Sequence, residues 1–334
     1  MIGIIVCTSE CNLSCRYCYQ HSCRVRNRHK RTEINLKFSQ AQEMLLEYAA
    51  SLSAIAKHQG RAVQMILHGG EPLLLYEQTM IPFLEKLKAL GCDYIQIQTN
   101  GTLLTQTLAE VLKQCGVSVV FSIDGPEQIH DAFRVNGAGR GSFRRVMESV
   151  RMLQELGVPV SALATITAGA CQKAREIYDF FSDHHLDFSV NRCFAPEEAP
   201  SPDAVAPTEE QYREFLSDLF DAYCSRGETH ARIPCFDRCL HDLKKTEAGY
   251  RYEPRISSYI SAFHVESGTY KFVAPEKVHT FDNADDYLAC VVDTVAGKHN
   301  VESRMYTGTQ KECVIEHLCW QQWNDYCAAL EVNG

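Results

Sequence analysis

Ile2-Gly-Ile-Ile-Val-Cys7-Thr-Ser-Glu-Cys11-Asn-Leu-Ser-Cys15-Arg-Tyr-Cys18 carries a short β-branched run into a loop with three cysteines, Cys11, Cys15 and Cys18, at the spacing C-x3-C-x2-C. The run Ile2–Cys7 predicts a buried strand that delivers the chain into the loop. Thiolates are soft ligands that suit iron–sulfur clusters and zinc. A four-iron cluster ordinarily takes four thiolates, so three in one tight loop leave one iron unclaimed by the motif. Something else can bind there. The alternative is a zinc site with its fourth ligand elsewhere. Such sites are usually built from repeated C-x2-C pairs, and no C-x2-C follows Cys18.

Working outward, Ser39 is expected to cap a helix through Lys57, with Leu45, Leu46, Leu52 and Ile55 on its apolar face. Val63–Leu67 reads as a second strand running into His68-Gly-Gly-Glu-Pro72. Paired glycines allow a sharp turn and close approach of the backbone to a ligand, although alone this is equally a plain strand-to-helix turn. A helix over 76–90 follows, then a strand Tyr94–Gln98 ending in Thr99-Asn-Gly-Thr102. Next come a helix Gln106–Cys115 and a strand Val117–Ile123, closing on Ser122-Ile-Asp-Gly-Pro126 and His130-Asp-Ala-Phe-Arg134. Gly137-Ala-Gly-Arg-Gly141 lacks the Lys-Ser/Thr ending of a phosphate loop and is read as a turn. A helix Phe143–Leu156, a strand Val160–Ile166, a helix over 172–184 and a strand Asp187–Arg192 complete the series. Strands alternating with helices predict an α/β fold with a parallel sheet. Right-handed crossovers curl six such units into a partial (β/α)6 TIM-like barrel. Every motif named lies at the C-terminal end of a strand, where sites on parallel sheets are expected.

The cysteine spacing, with Tyr17 directly before the last cysteine, resembles the signature of the radical SAM enzymes. Gly69-Gly70-Glu71, Ser122-Ile-Asp-Gly-Pro126 and Arg134 are similar to motifs of the peptide- and protein-modifying (SPASM/twitch-related) subfamily, and the resemblance covers about residues 1–195. It implies that Cys11, Cys15 and Cys18 hold one [4Fe–4S] cluster. The amino and carboxylate groups of S-adenosylmethionine would chelate its fourth iron. Electron injection would cleave the sulfonium to a 5′-deoxyadenosyl radical that abstracts hydrogen from substrate. It also implies cofactor contacts by Tyr17, Asn100, Ser122, Asp124, Arg134 and Ile166. The glycines and Glu71 would bind the methionine amino group, and Ser122 and Arg134 its carboxylate. Arginine suits that role because its planar fork matches a carboxylate. The ordinary alternatives are a surface salt bridge for Arg134 and core packing for Ile166. Asp124 is left between holding the ribose and shaping the turn.

At 334 residues the chain has room for about two domains or one long barrel. A net charge of −9 argues against general nucleic-acid binding. No apolar run is long enough to span a bilayer, and Met1–Val6 lacks the basic start and cleavage site of a signal peptide. Sixteen cysteines in an unexported chain point to a reducing cytoplasm. Cys23-Arg-Val-Arg-Asn-Arg-His-Lys-Arg31 holds five Lys/Arg in nine residues. It reads as a solvated loop, or as a docking patch for an acidic electron donor such as flavodoxin or ferredoxin.

The barrel is assigned to residues 1–200, and a smaller α+β extension over 201–334 is expected to cap the active site. Ala195-Pro-Glu-Glu-Ala-Pro-Ser-Pro-Asp203 marks the boundary. Glu209–Cys224 predicts a helix with Phe215, Leu219, Phe220 and Tyr223 as a core stripe. Phe263–Val273 resembles the hairpin that opens the SPASM extension, but Val273 stands where that pattern has a cysteine, and the later cysteine run is absent. Cys235, Cys239, Cys290, Cys313, Cys319 and Cys327 are therefore either structural thiols or a second metal site, such as an auxiliary Fe–S cluster. Trp320 and Trp323 are expected to pack a final helix onto the barrel. The chain opens on strand one, so no leader-binding domain is expected ahead of it.

The favoured reading is a radical SAM enzyme acting on a peptide or protein, for example cross-linking or cyclising a ribosomally made peptide with help from a separate leader-binding protein. A formylglycine-forming enzyme like the anaerobic sulfatase maturases is the alternative within the class. A non-catalytic iron–sulfur carrier or scaffold is the competing class, and it would need neither the Gly-Gly-Glu motif nor Arg134.

Overall fold

The computed structural model describes residues 1–18, 30–194, 205–225, 231–247, 249–252, 260–273, 278–287, 304–307 and 309–319. The basic run over 23–29, the stretch over 195–203, Cys290, Cys327, Trp320 and Trp323 lie outside them. Strands β1 (Ile2–Val6), β2 (Gln64–His68), β3 (Tyr94–Thr99), β4 (Val117–Ser122), β5 (Val160–Ile166) and β6 (Asp187–Arg192) stand in chain order, all parallel. Between them run α1 (Arg31–His58), α2 (Glu77–Ala89), α3 (Gln106–Cys115), the single turn α4 (Glu127–His130), α5 (Phe143–Leu156) and α6 (Ala174–Asp183). This is the partial (β/α)6 barrel expected from the strand–helix alternation.

Strand alternation decides which side chains meet which layer. Ile5, Leu67, Ile97, Phe121, Ala164 and Phe188 are sealed in the main core with residues of the helices. Residues of the opposite parity, among them His68, Gln98, Ser122 and Thr165, are only half-buried. One face of the sheet is thus apolar and dry, and the other is partly open and mixes polar side chains with apolar ones such as Ile66, Val120 and Leu163.

Helix α1 begins at Arg31, eight residues before the expected cap Ser39, which is exposed in mid-helix. The Glu33 carboxylate accepts the Lys30 N–H at 3.2 Å and so satisfies one of the unpaired donors of the first turn. Ile34 and Phe38 extend the buried stripe of Ala41, Leu45 and Leu52 back toward that end.

After β6, α7 (Glu209–Cys224) starts at a capping box. Thr208 Oγ1 accepts the Gln211 N–H at 3.1 Å, and Gln211 Oε1 accepts the Thr208 N–H at 2.9 Å. Its Phe215 and Leu219 are buried, as the stripe required. Then come α8 (Pro234–Asp242), β7 (Leu243–Thr246), β8 (Gly249–Tyr252), β9 (Ile260–His264), β10 (Thr269–Val273), β11 (Val278–Phe281), β12 (Arg304–Tyr306) and a helix over 310–319. β7, β8 and β12 form a small antiparallel sheet. The hairpin read over Phe263–Val273 is present as β9 and β10. It does not stand apart. β9 pairs parallel with β1, from Ile2↔Ile260 to Val6↔His264, so the main sheet runs β11-β10-β9-β1-β2-β3-β4-β5-β6. Phe263, Tyr270 and Tyr287 close around Tyr48 of α1, with ring centroids 6.1, 6.1 and 5.9 Å away. Among the described residues no helix is long and apolar enough to cross a membrane.

Candidate cluster and cofactor site

The cysteine loop leaves β1 and is pinned along both flanks. On one side it lies against the segment after α4. The N–H groups of Ser14 and Arg16 donate to the Val135 and Phe133 carbonyls at 2.7 and 3.0 Å, and Cys18 N–H turns back to the Cys15 carbonyl at 3.1 Å. On the other side the Gly70 and Glu71 N–H groups donate to the Thr8 and Glu10 carbonyls at 2.7 and 2.9 Å. Gly69 holds φ +129°, and a Cβ there would stand 2.3 Å from the Thr8 carbonyl oxygen. One on Gly70 would stand 2.1 Å from that of Glu10. The paired glycines therefore let two backbone segments touch. The N–H groups of Gly70 and Glu71 are committed to the loop.

Cys15, Tyr17, Leu13 and Cys193 form a small buried cluster separate from the main core, with Cys11, Cys18, Phe133 and Val205 packed on it. Cys11 Sγ accepts the Leu13 N–H at 3.4 Å and the Asn100 amide at 3.6 Å. Asn100 also donates to Asn12 at 2.9 Å, and Asn12 to Thr102 at 2.8 Å. Donors aimed at a sulfur stabilise thiolate character, and they are among the features that set an iron–sulfur potential. Among the described residues no three His, Cys, Asp or Glu side chains converge closely enough to hold a single metal ion. A four-iron cube carries its ligands on separate corners, so three thiols spread along one loop with apolar neighbours fit it better than a lone zinc.

Glu71 is fully buried, and its carboxylate accepts from Thr99 Oγ1 at 2.6 Å, Asn100 N at 2.8 Å and Leu73 N at 2.9 Å. Burial pushes its carboxyl up, and the three donors oppose that shift. The side chain ties the loop after β2 to the loop after β3.

Asp124 is the second knot. Its carboxylate takes a bidentate pair from Arg134, Nε to Oδ2 and Nη2 to Oδ1, both at 3.0 Å. It also accepts the Tyr17 hydroxyl at 2.5 Å and the Thr165 N–H at 2.9 Å. The Asp124 and Arg134 side chains are 2% and 10% exposed, so the pair is buried and not the surface bridge considered from the sequence. Asp124 does more than shape a turn: its side chain joins the cysteine loop, the segment after β4 and β5. Burial works against the Arg134 charge, but the Asp124 carboxylate outweighs it and holds Arg134 cationic. Burial also keeps Tyr17 a phenol, well above its ordinary range. Beneath them His130 Nδ1 accepts the Asp124 N–H at 3.5 Å, and its Nε2 lies 3.0 Å from Ser142 Oγ, which donates to the Arg134 carbonyl at 2.9 Å. The tautomer that satisfies this chain carries its proton on Nε2. Burial pulls His130 down to about 4, so it is neutral.

Cys11, Cys15, Cys18, Tyr17, Gly69, Gly70, Glu71, Asn100, Asp124 and Arg134 are thus joined by the contacts just described. Ser122 stands half-buried at the end of β4. For Ile166 the structure shows core packing, one of the two readings left open from the sequence. Ile166 is fully buried in the main core, because its parity on β5 faces the helices, while half-buried Thr165 has the opposite parity. Thr99, His130, Ser142 and Cys193 were not singled out from the sequence. Position at or just beyond a strand end was the available signal for Thr99 and Cys193. Of the six C-terminal cysteines, Cys235 and Cys239 lie one turn apart on α8, and burial raises them to about 11 and about 12. Cys313 and Cys319 pack with the main core from the helix over 310–319, and Cys319 is likewise raised by burial, to about 11.

Comparisons with known proteins place the chain in a family. The Radical SAM superfamily model matches residues 5–181. The serine-type anaerobic sulfatase-maturating enzyme of Bacteroides thetaiotaomicron is 26% identical over 331 residues, spanning 91% of this chain and 76% of that protein. The cysteine-type enzyme of Clostridium novyi is 27% identical over 224 residues, or 65% of this chain and 57% of that one. Among solved structures, native anSMEcpe with bound AdoMet and Kp18Cys peptide aligns with a TM-score of 0.61 at 19% identity, covering 81% of this chain and 73% of that chain. Streptococcus suis SuiB bound to its precursor peptide SuiA aligns with a TM-score of 0.52 at 17% identity, covering 81% and 58%. At these identities the structural likenesses speak for the fold. With its family model spanning more than half the sequence and its three-thiol loop set at the end of β1, the chain belongs to the radical SAM superfamily.

Proposed function

We propose that this enzyme uses S-adenosylmethionine on a [4Fe–4S] cluster to take a hydrogen atom from a peptide or protein, as a step in its post-translational modification. When bound, cluster and cofactor supply a reductively generated 5′-deoxyadenosyl radical. Cys11, Cys15 and Cys18 would hold the cluster. Asn100, Ser122 and Arg134, with the backbone of Gly69–Glu71, would hold the methionine end. Asp124 occupies Nε and Nη2 of Arg134, which leaves Nη1 for the methionine carboxylate. The observation that carries the reading is the stitching of the three-thiol loop, through Asp124 and Glu71, to the strand ends of one sheet. The half-buried polar side chains His68, Gln98, Ser122 and Thr165 suit a peptide, whose backbone needs hydrogen-bond partners. The relatives whose names refer to sulfatase maturation or to bound peptides support that substrate class.

Anaerobic reconstitution, reduction with dithionite and assay for 5′-deoxyadenosine test the chemistry. Wild type is expected to release it, and a Cys11/Cys15/Cys18 triple alanine variant is expected not to. An intact cluster that cleaves no cofactor would point to an electron carrier. Deuterated peptides then test the substrate, since deuterium should appear in the 5′-deoxyadenosine. The sulfatase-maturase reading has its own support in the relatives' names. It requires label transfer from the Cβ of a target Ser or Cys, with formylglycine as product. An acidic electron donor and a separate leader-binding protein remain part of the proposal. Of the basic run, Arg31 is already engaged, donating to the Leu74 carbonyl at 2.8 Å with its guanidinium over the Tyr76 ring, so any docking would rest on the other basic residues.

A further inference from the structure

We infer that Glu266, in the turn of the β9–β10 hairpin, is a positioning residue for the cysteine loop, so that docking of the C-terminal segment helps set the geometry in which a cluster is held. The inference rests on the reading of that loop as the cluster site. Its starting point is the ladder between β1 and β9, which ends at Val6↔His264. The Val265 N–H continues it by donating to the Val6 carbonyl at 3.1 Å. Beyond that point, among the described residues, no strand continues beside the backbone of Thr8–Glu10 on this flank, and Glu266 takes the strand's place. Its Oε1 accepts the Thr8 hydroxyl at 2.7 Å and the Ser9 N–H at 3.0 Å, and its Oε2 accepts the Ser9 hydroxyl at 2.7 Å. Thr8 Oγ1 passes the restraint on by accepting the Glu10 N–H at 3.1 Å. The opposite flank of the same residues is held by Gly70 and Glu71. The backbone directly ahead of Cys11 is therefore clamped between the loop after β2 and a turn 257 to 258 residues away.

The hairpin does not need this carboxylate for itself. It is closed by its own ladder and by Gly268 at φ +68°, whose N–H donates to the His264 carbonyl at 2.8 Å. Among the described residues, the three hydrogen bonds that the Glu266 carboxylate accepts all come from the loop. Those bonds and the charge of Lys37 on α1 hold Glu266 below the usual carboxylate range, against the opposing effect of burial.

Hydrogen–deuterium exchange on the apoprotein tests the clamp without any cluster. Glu266→Ala should speed exchange of the Ser9 and Glu10 amides about tenfold or more, the scale of a lost charge-assisted hydrogen bond. Amides of β10 and α5 should keep their rates. Glu266→Gln, which retains one acceptor oxygen, should fall between. A Thr8→Val/Ser9→Ala variant removes the two hydroxyl bonds to Glu266 without touching the hairpin, keeps the Ser9 N–H bond, and should loosen the loop in part. Adding Glu266→Ala to it should loosen the loop by less than Glu266→Ala does in the wild type, the non-additivity expected of direct partners. After reconstitution, Glu266→Ala should bind less iron and sulfide, and its reduced cluster should show a smaller change in electron paramagnetic resonance when S-adenosylmethionine is added. Unchanged exchange over residues 7–18 would overturn the inference, as would equal loosening throughout β9–β11. If wild type takes up no iron, the cluster reading itself fails, while the exchange rates still decide whether Glu266 holds the loop.

Discussion

Asp124 and Arg134 show how a single side chain can be cheap to keep and costly to lose. A buried ion pair is seldom a large net stabiliser, but removing one partner strands the other charge. Asp124→Asn is therefore expected to cost about 3–5 kcal/mol in urea unfolding of the apoprotein, and to release the Tyr17 hydroxyl, read by its near-ultraviolet signal. Replacing both partners, Asp124→Asn with Arg134→Gln, should recover part of that loss. Buried His130 gives a pH dependence of known sign. Burial pulls it from 6.5 to about 4. Between those values the unfolded chain binds a proton that the folded one does not, so stability falls as pH drops from about 6.5 toward 4, by up to roughly 3 kcal/mol. His130→Gln should flatten that slope in pH-stepped denaturation, and a slope unchanged by the substitution would remove His130 as its source.

Among the elements, those whose periodicity is unbroken were readable to the residue. Gln106–Cys115, Phe143–Leu156, Val160–Ile166, Asp187–Arg192 and Glu209–Cys224 have the bounds the sequence predicts. Helix α1 was misjudged at its start because a good capping residue, Ser39, stands inside it, while the cap used is the contact between Glu33 and the Lys30 backbone. The Gly69-Gly70 turn was legible as a place of close approach, but not what approaches. Sequence reasoning assigned a ligand role, and the structure adds a packing one, with the backbone of Thr8–Glu10 against both glycines. Gly70→Ala would thrust a methyl group into the Glu10 carbonyl. The expected outcome is a folded apoprotein, by circular dichroism, with impaired iron uptake on reconstitution. Uptake equal to wild type would mean the loop can shift without consequence.

At the scale of the whole molecule, the last third of the chain completes the first sheet. Phe263 is fully buried between β1 and the aromatic group of Tyr48, Tyr270 and Tyr287. Phe263→Ala should cost about 3–5 kcal/mol in chemical denaturation. If β9 comes away as well, the bared edge of β1 is open to pairing with other chains, which size-exclusion chromatography would register as higher oligomers. A loss near zero would mean that the hairpin contributes little to the sheet.

Local chemistry was enough for the sequence to specify the barrel and the kind of site it bears. Hydrophobic period sets strand and helix, parallel crossovers have one hand, and three thiols in eight residues are near enough along the chain to suit a common cluster. The partners of Asp124, Glu71 and Glu266 depended on tertiary structure. Each carboxylate had many donors within its reach along the chain. Tyr17 lies 107 residues from Asp124 and Thr8 lies 258 from Glu266, and only the pairing of β1 between β2 and β9 brings these separated segments to the same end of one sheet.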